Sequence, residues 1–220
     1  SLNILVLLSG GRTSFFCMIL ASFMIIFLTK RLSRIKIYSF IIFFISFLII
    51  VISSPSIKNR MINHTIEQVG LLNGNLNWFS EIHQKHYASA YKMFSHNPIV
   101  GVGPKMFRLE CKNNKYEVKG ACATHPHNFY VQLLAETGII GFSFLIISFL
   151  IISLHLLKIL FKKIDINNID QEVLTVSMIC IFVYIWPILP HMNFFNTWIN
   201  ALPSFVIGII LFSLKNKKNL

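Results

Sequence analysis

Five runs of 16 to 20 residues contain no Asp, Glu, Lys or Arg: Ser14–Thr29, Ile37–Ser54, Gly138–Leu157, Val173–Leu189 and Trp198–Leu214. With their flanking residues they are long enough for helices that cross a hydrocarbon layer, which takes about 20 residues. Their Ile and Phe content is compatible with strands. In lipid, however, each backbone N–H and C=O needs a partner within the segment, which selects helix. The chain is 55% hydrophobic and 13% charged, against about 25% charged for an ordinary soluble domain. A soluble enzyme and a disordered basic tail are both excluded. The expected fold is an all-α integral membrane protein of about five transmembrane helices. Ile4 to Leu8 reads as the tail of a further span, so the chain is expected to be the C-terminal part of a longer membrane protein.

The net charge of +12 would suggest nucleic acid in a soluble protein. Here the cations sit between apolar runs, so membrane topology and anionic lipid explain them better, and no nucleic-acid partner is expected. Lys30, Arg31, Arg34 and Lys36 crowd the first connection. Lys158, Lys162 and Lys163 follow the third run, and Lys215, Lys217 and Lys218 follow the fifth. The opposite side carries Arg12 and the uncharged stretch His191–Thr197. Short loops rich in Lys and Arg stay in the cytoplasm. Residues 55–128 therefore lie outside it, as a mostly helical domain between the second and third spans. The organisation read from the sequence is 1–54 (two spans after the tail of another), 55–128 (extracytoplasmic) and 129–220 (three spans and a cytoplasmic C-terminus).

Within 55–128, Ile57–Val69 can form an amphipathic helix. Leu71–Asn77 is a turn-rich break, and Trp78–Ser95 reads as a second helix ended by Asn97-Pro98. Gly101-Val102-Gly103-Pro104 is a stiff turn, and Phe129–Glu136 begins a helix that enters the membrane past Gly138 and Gly141. Cys111 and Cys122 lie where disulfides persist, and a disulfide is expected. Two free thiols are the bland alternative. Zinc on Cys111, Cys122, His125 and His127 is the sharp one, though Pro126 and a His spacing of two do not suit a usual zinc motif. No metal site is therefore assigned.

The chemistry-bearing residues are cations and imidazoles near span ends. Arg12 stands at the outer end of a span, where an arginine is costly unless paired, and its fork matches phosphate oxygens. His127 stands at the mouth of the third span, and an imidazole there can take a proton from a hydroxyl. Arg108 and Arg60 add positive charge to a segment with nine basic and four acidic residues between 55 and 128. Solvated surface charge and a structural loop histidine are the bland readings of the same residues. Paired carboxylates for a glycosidase are lacking, as Glu136 is the only acid near the histidines.

Asn97-Pro98-Ile99-Val100-Gly101-Val102-Gly103-Pro104, then His127-Asn128-Phe129-Tyr130, then Glu136-Thr137-Gly138-Ile139-Ile140-Gly141, together with Ser9-Gly10-Gly11-Arg12-Thr13, resemble the O-antigen ligase and polymerase family. The resemblance covers essentially the whole chain, as the C-terminal half of a member. It implies a glycosyltransferase of the bacterial inner membrane, multi-pass, with its active site facing the periplasm. The implied donor is a polyprenyl-diphosphate-linked glycan. The acceptor is the lipid A core or a growing glycan, and neither cofactor nor metal takes part. On that resemblance Arg12 and His127 are the catalytic pair, and Arg108 or Arg60 supplies a second cation for the diphosphate. Asn128, His125 and Glu136 are supporting residues; Glu136 can orient His127, and an ordinary helix-surface carboxylate is the bland reading of it. The family's Arg-x-x-x-Trp run before the Asn-Pro turn is absent, and His83 and His86 occupy that stretch. A lipid-linked glycan transporter is the rival class. It would carry ionisable residues at mid-membrane depth, where these runs are uncharged.

Overall fold

The computed structural model describes residues 6, 11–69, 79–162 and 169–218 of the 220. In chain order the helices are α1 (Arg12–Leu28), α2 (Ser33–Ser53), α3 (Pro55–Lys58), a π-helical turn (Asn59–Asn63), α4 (His64–Val69), α5 (Glu81–His96), α6 (Phe107–Glu110), α7 (Phe129–Leu160), α8 (Ile169–Tyr184) and α9 (Thr197–Lys218). Among the described residues there is no strand. The expected tail at Ile4–Leu8, apart from Val6, and the expected break at Leu71–Asn77 lie outside the described residues.

Each of the five apolar runs falls on a helix. Three are long and apolar enough to cross a membrane: Ser33–Ser53, the whole of α7, and Thr197–Lys215. Their large apolar side chains face outward, among them Ile52, Phe144, Trp198, Leu202 and Phe205, a surface suited to lipid and not to water. The helix α1 has 17 residues and α8 has 16, about 25 Å of rise against a hydrocarbon core of about 30 Å. The fourth run was expected to stay helical to Leu189, but α8 stops at Tyr184. Pro187 and Pro190 explain the difference, because proline lacks the N–H of the ladder and biases its predecessor away from helix.

The chain divides into two units. The first takes residues up to 78 with Leu156–Val183 and Ile210 onward; the second takes Phe79–His155 and Tyr184–Ile209. In the first, Glu172 in the opening turn of α8 accepts from the backbone N–H groups of Lys30 (2.9 Å) and Arg31 (2.6 Å). One carboxylate thereby fixes the basic turn between α1 and α2. Ser54 and Pro55 start α3, with the serine hydroxyl accepting from Ile57 N–H and proline at the first helical position.

The second unit packs α5 against the loop that follows it. Ala90 and Met93 of α5, Phe107, Cys111, Tyr116 and Ala135 form its buried cluster. His86 and Ser89 join the same helix face, whereas Ile82 is exposed. Cys111 and Cys122 are joined as a disulfide with Cα atoms 5.3 Å apart. The loop they close is tied to α5 by Ser89 Oγ donating to Tyr116 O (2.9 Å) and Lys92 Nζ donating to Glu117 O (2.8 Å).

The two glycine motifs meet. The turn Pro98–Gly103 lies along α7 at Ala135–Gly138, with Val102 N–H donating to Ala135 O (3.0 Å) and Gly103 N–H to Glu136 O (2.9 Å). Ile139 N–H donates back to Pro98 O (2.9 Å). Gly138 breaks α7 with φ 63° and ψ −158°, and Gly101 has φ 66°. A Cβ at Gly101 would overlap the Glu136 backbone, and one at Gly138 would overlap the Ile99 carbonyl. Backbone contact this close, with positive φ on both sides, admits only glycine.

Candidate functional site

Four imidazoles converge in the second unit. The His127 ring lies 4.1 Å from that of His125, 5.5 Å from His86 and 5.6 Å from His83, centre to centre. His83 and His86 stand one turn apart on α5, and His125 and His127 come from the loop before α7. His127 has φ 60°, an uncommon conformation for a residue with a side chain and a frequent mark of a constrained functional position.

The stretch 185–194, between α8 and α9, holds that conformation. His191 N–H donates to His127 O (2.8 Å), and His125 Nε2–H donates to His191 O (3.2 Å). The His191 ring stacks on Phe129 at 4.2 Å. Asn128 works in two directions. Its Oδ1 accepts from the N–H groups of Tyr130 (3.0 Å) and Val131 (3.1 Å), capping α7. Its Nδ2 donates to the carbonyls of Pro187 (2.7 Å) and Leu189 (3.1 Å). Gln132, fully buried, donates to Asn193 Oδ1 (2.9 Å) and to Glu136 Oε2 (2.9 Å), and accepts from Phe194 N–H (2.9 Å).

The nitrogens decide which histidine is available. A carbonyl only accepts, so the His125 Nε2 that bonds His191 O carries the proton, and its Nδ1 accepts from Thr124 Oγ1 at 2.9 Å. Both nitrogens of His125 are committed. The ring nitrogens of His127 have no hydrogen-bond partner among the described residues. Burial, then the nearby His125, His86 and His83, pull the His127 pKa from 6.5 down to about 4. His125 and His83 are also lowered, chiefly by burial. Burial likewise takes His191 from 6.5 to about 4. At neutral pH His127 is thus an uncharged imidazole with an uncommitted lone pair, able to accept a proton.

Glu136 does not do what the sequence suggested. It is fully buried. Its Oε1 accepts from Phe107 N–H (2.9 Å), and its Oε2 from Lys105 N–H (3.1 Å) and Gln132. The carboxylate thus fixes the turn 103–107, and among the described residues no hydrogen bond joins it to His127. That turn leads into α6, which carries Arg108 on the exposed side. Arg12 and Arg60 belong to the first unit. Arg12, partly buried, opens α1 and donates from Nη1 to Thr65 Oγ1 of α4 at 3.4 Å; Arg60 sits exposed in the π-helical turn.

Sequence reasoning left out Gln132, Asn193 and His191. The signal was faint: a Gln one turn above Glu136, and one histidine in an otherwise uncharged loop. Zinc on the cysteine pair is set aside by the disulfide. Among the described residues no three His, Cys, Asp or Glu are grouped to hold a metal ion.

The O-antigen ligase family model matches residues 1–146. The chain belongs to the O-antigen ligase family. No curated protein and no solved structure matches it. Membership makes it a multi-pass membrane protein and an enzyme of the glycosyltransferase kind, acting on lipid-linked glycan and an acceptor. The match covers the Asn97–Gly103 turn, the histidine pair and the Glu136–Gly141 kink. The stretch 185–194 that holds His127 in place lies beyond it.

Proposed function

We propose that this family member transfers an oligosaccharide or polysaccharide from polyprenyl diphosphate to an acceptor sugar hydroxyl at the periplasmic face of the bacterial inner membrane. The observation that carries the reading is His127: a neutral imidazole with unengaged nitrogens, on a left-handed backbone, beside a His125 whose nitrogens are both engaged. In the proposed reaction the acceptor O–H gives its proton to His127 while its oxygen attacks the anomeric carbon. The bond from that carbon to the diphosphate oxygen breaks, and polyprenyl diphosphate leaves. Arg12, with Arg108 or Arg60, neutralises the charge that grows on the leaving oxygen. The diphosphate already activates the sugar, so the reaction is written without cofactor or metal.

The proposed topology places 55–128 outside the cytoplasm, with α1 and α8 as shorter spans beside the three long ones. It rests on the ten cations at Lys30–Lys36, Lys158–Lys163 and Lys215–Lys218. A cysteine placed at the exposed Lys112 is expected to react with a membrane-impermeant maleimide in intact spheroplasts.

The deciding experiment is the glycan profile of a deletion strain complemented with variants. Accumulated lipid-linked polymer and bare acceptor identify a ligase; products of a single repeat identify a polymerase. His127→Ala is expected to cost ~10²- to 10⁴-fold. Arg12→Lys loses much of the activity, because a point charge does not reproduce the bidentate fork. An active His127→Ala protein at normal level overturns the mechanism.

A further inference from the structure

Among the described residues no hydrogen bond orients the His127 ring, and Glu136 is bonded to the turn 103–107. We infer that His86 is the orienting group: a positioning residue whose Nε2 accepts the ring N–H of His127 and sets the direction of the ring. The inference rests on the reading of His127 as the base.

The tautomer of His86 is fixed by its surroundings. Its Nδ1 lies 2.7 Å from the Ala121 carbonyl oxygen, inside the protein. A carbonyl offers no proton, so Nδ1 carries it, and the neutral ring presents a lone pair at Nε2. This is the arrangement in which a backbone carbonyl fixes the tautomer of an imidazole and sets its direction. Ala121 is itself held in place, between the disulfide at Cys122 and the bond from its own N–H to Val118 O (2.9 Å).

Geometry favours His86 over the other two rings. An N–H···N bond between imidazoles puts their centres roughly 5 Å apart, from a ~2.9 Å hydrogen bond and two ring radii. His86 and His127 stand 5.5 Å apart at 39°, close to that separation. His125 is nearer but has neither nitrogen free. His83 spends Nδ1 on the Ser80 hydroxyl at 3.1 Å, a partner that fixes no tautomer, and its ring is partly exposed. The proton path is closed. The acceptor oxygen gives its proton to one nitrogen of His127, the other nitrogen donates to His86 Nε2, and His86 Nδ1–H stays on Ala121. His86 holds the direction of the ring, the orienting part of what a buried carboxylate does for other catalytic histidines.

The test is His86→Asn in the intact membrane protein. The amide nitrogen of asparagine stands close to where Nδ1 was and keeps a donor for Ala121 O, but nothing replaces Nε2. Transfer is measured in membranes of the deletion strain loaded with its own accumulated lipid-linked glycan, across pH. The groups facing His127 in this profile are His83 and His86 of α5 and His125 of its own loop, with His191 packed behind. His86→Asn is expected to accumulate normally, keep its disulfide, and slow transfer roughly ten- to hundredfold at saturating donor, with little change in the donor concentration needed. In a His127→Ala background it is expected to slow transfer no further. His86→Phe, which loses the Ala121 bond as well, is expected to be both slow and less stable. A His86→Asn protein of wild-type rate, or one whose defect persists undiminished without His127, overturns the inference. If His127→Ala itself transfers glycan normally, the base assignment falls, and His86 falls with it. If His127→Ala is inactive and His86→Asn is not, only His86 falls.

Discussion

Replacing Glu136 tests whether the shared Glu-Thr-Gly motif carries chemistry or architecture. Three donors reach the carboxylate: Phe107 N–H at 2.9 Å, Lys105 N–H at 3.1 Å and Gln132 Nε2 at 2.9 Å. In Glu136→Ala two backbone N–H groups lose their acceptor, the one on Phe107 deeply buried. Each costs about 1–3 kcal/mol if left unpaired, so the variant loses about 2–6 kcal/mol, a large part of a stability near 5–15 kcal/mol. Glu136→Gln keeps one acceptor oxygen but turns an NH2 toward a donor, and its cost is about 1–3 kcal/mol. Thermal unfolding of the protein in nanodiscs reads both, with the order wild type, Gln, Ala. Proteolysis is expected to cut first near 103–110, since that turn loses its anchor. A Glu136→Ala protein as stable as wild type, with the 103–110 turn still protected, refutes the reasoning. A normal melting temperature with lost transfer would instead return Glu136 to a catalytic role.

Three further outcomes follow from the same structure. Gly101→Ala and Gly138→Ala each force a Cβ into backbone at positive φ and are expected to lower stability by about 3 kcal/mol or more. Gly208→Ala, with open space around it, serves as the harmless control in the same unfolding assay. For pH, His127 and His191 are both lowered in the fold from 6.5 to about 4. Between those values the unfolded chain binds more protons, so stability falls as pH drops from about 6.5 toward 4 and is flat above; melting curves across that range check it. The acid limb of kcat/KM is expected well below pH 6.5. Finally, the loop closed by Cys111 and Cys122, 11 positions apart, is worth about 3 kcal/mol in the chain-entropy model. Cys111→Ala with Cys122→Ala is expected to lose about that much, and without reductant only Cys17 and Cys180 should react with a thiol reagent in the unfolded protein.

Helices were legible because lipid leaves the backbone few options. Each charge-free run fell on a helix, three of them long and apolar enough to cross a membrane, and the error at Leu189 came from reading hydrophobicity through Pro187 and Pro190, where backbone chemistry overrules it. The histidine pair was legible by its place at a span mouth, but its division of labour was not. His125 and His127 differ in what their nitrogens touch, and His125 is occupied by Thr124 and by His191, the latter 66 positions along the chain. Periodicity carries no trace of that. Glu136 shows the opposite failure. It stood near the histidines in sequence, yet α7 turns it toward the 103–107 turn, so sequence distance misassigned its partner.

The glycine motifs and the histidines are joined by one chain of hydrogen bonds. Gly101 and Gly138 let the 98–103 turn lie against the kink of α7, and Glu136 then receives the N–H groups of Lys105 and Phe107. Gln132 passes the same network on to Asn193 and Phe194, in the stretch whose His191 N–H holds the carbonyl of His127. Each link is a buried or partly buried polar bond whose loss strands a donor or an acceptor. The motif Glu-Thr-Gly-x-x-Gly can therefore govern activity without touching substrate, by keeping His127 in a backbone conformation that a residue with a Cβ adopts only when its surroundings impose it. A Gln132→Met variant, close in size but without the three hydrogen bonds, should therefore slow transfer although His127, Arg12, Arg60 and Arg108 are all unchanged.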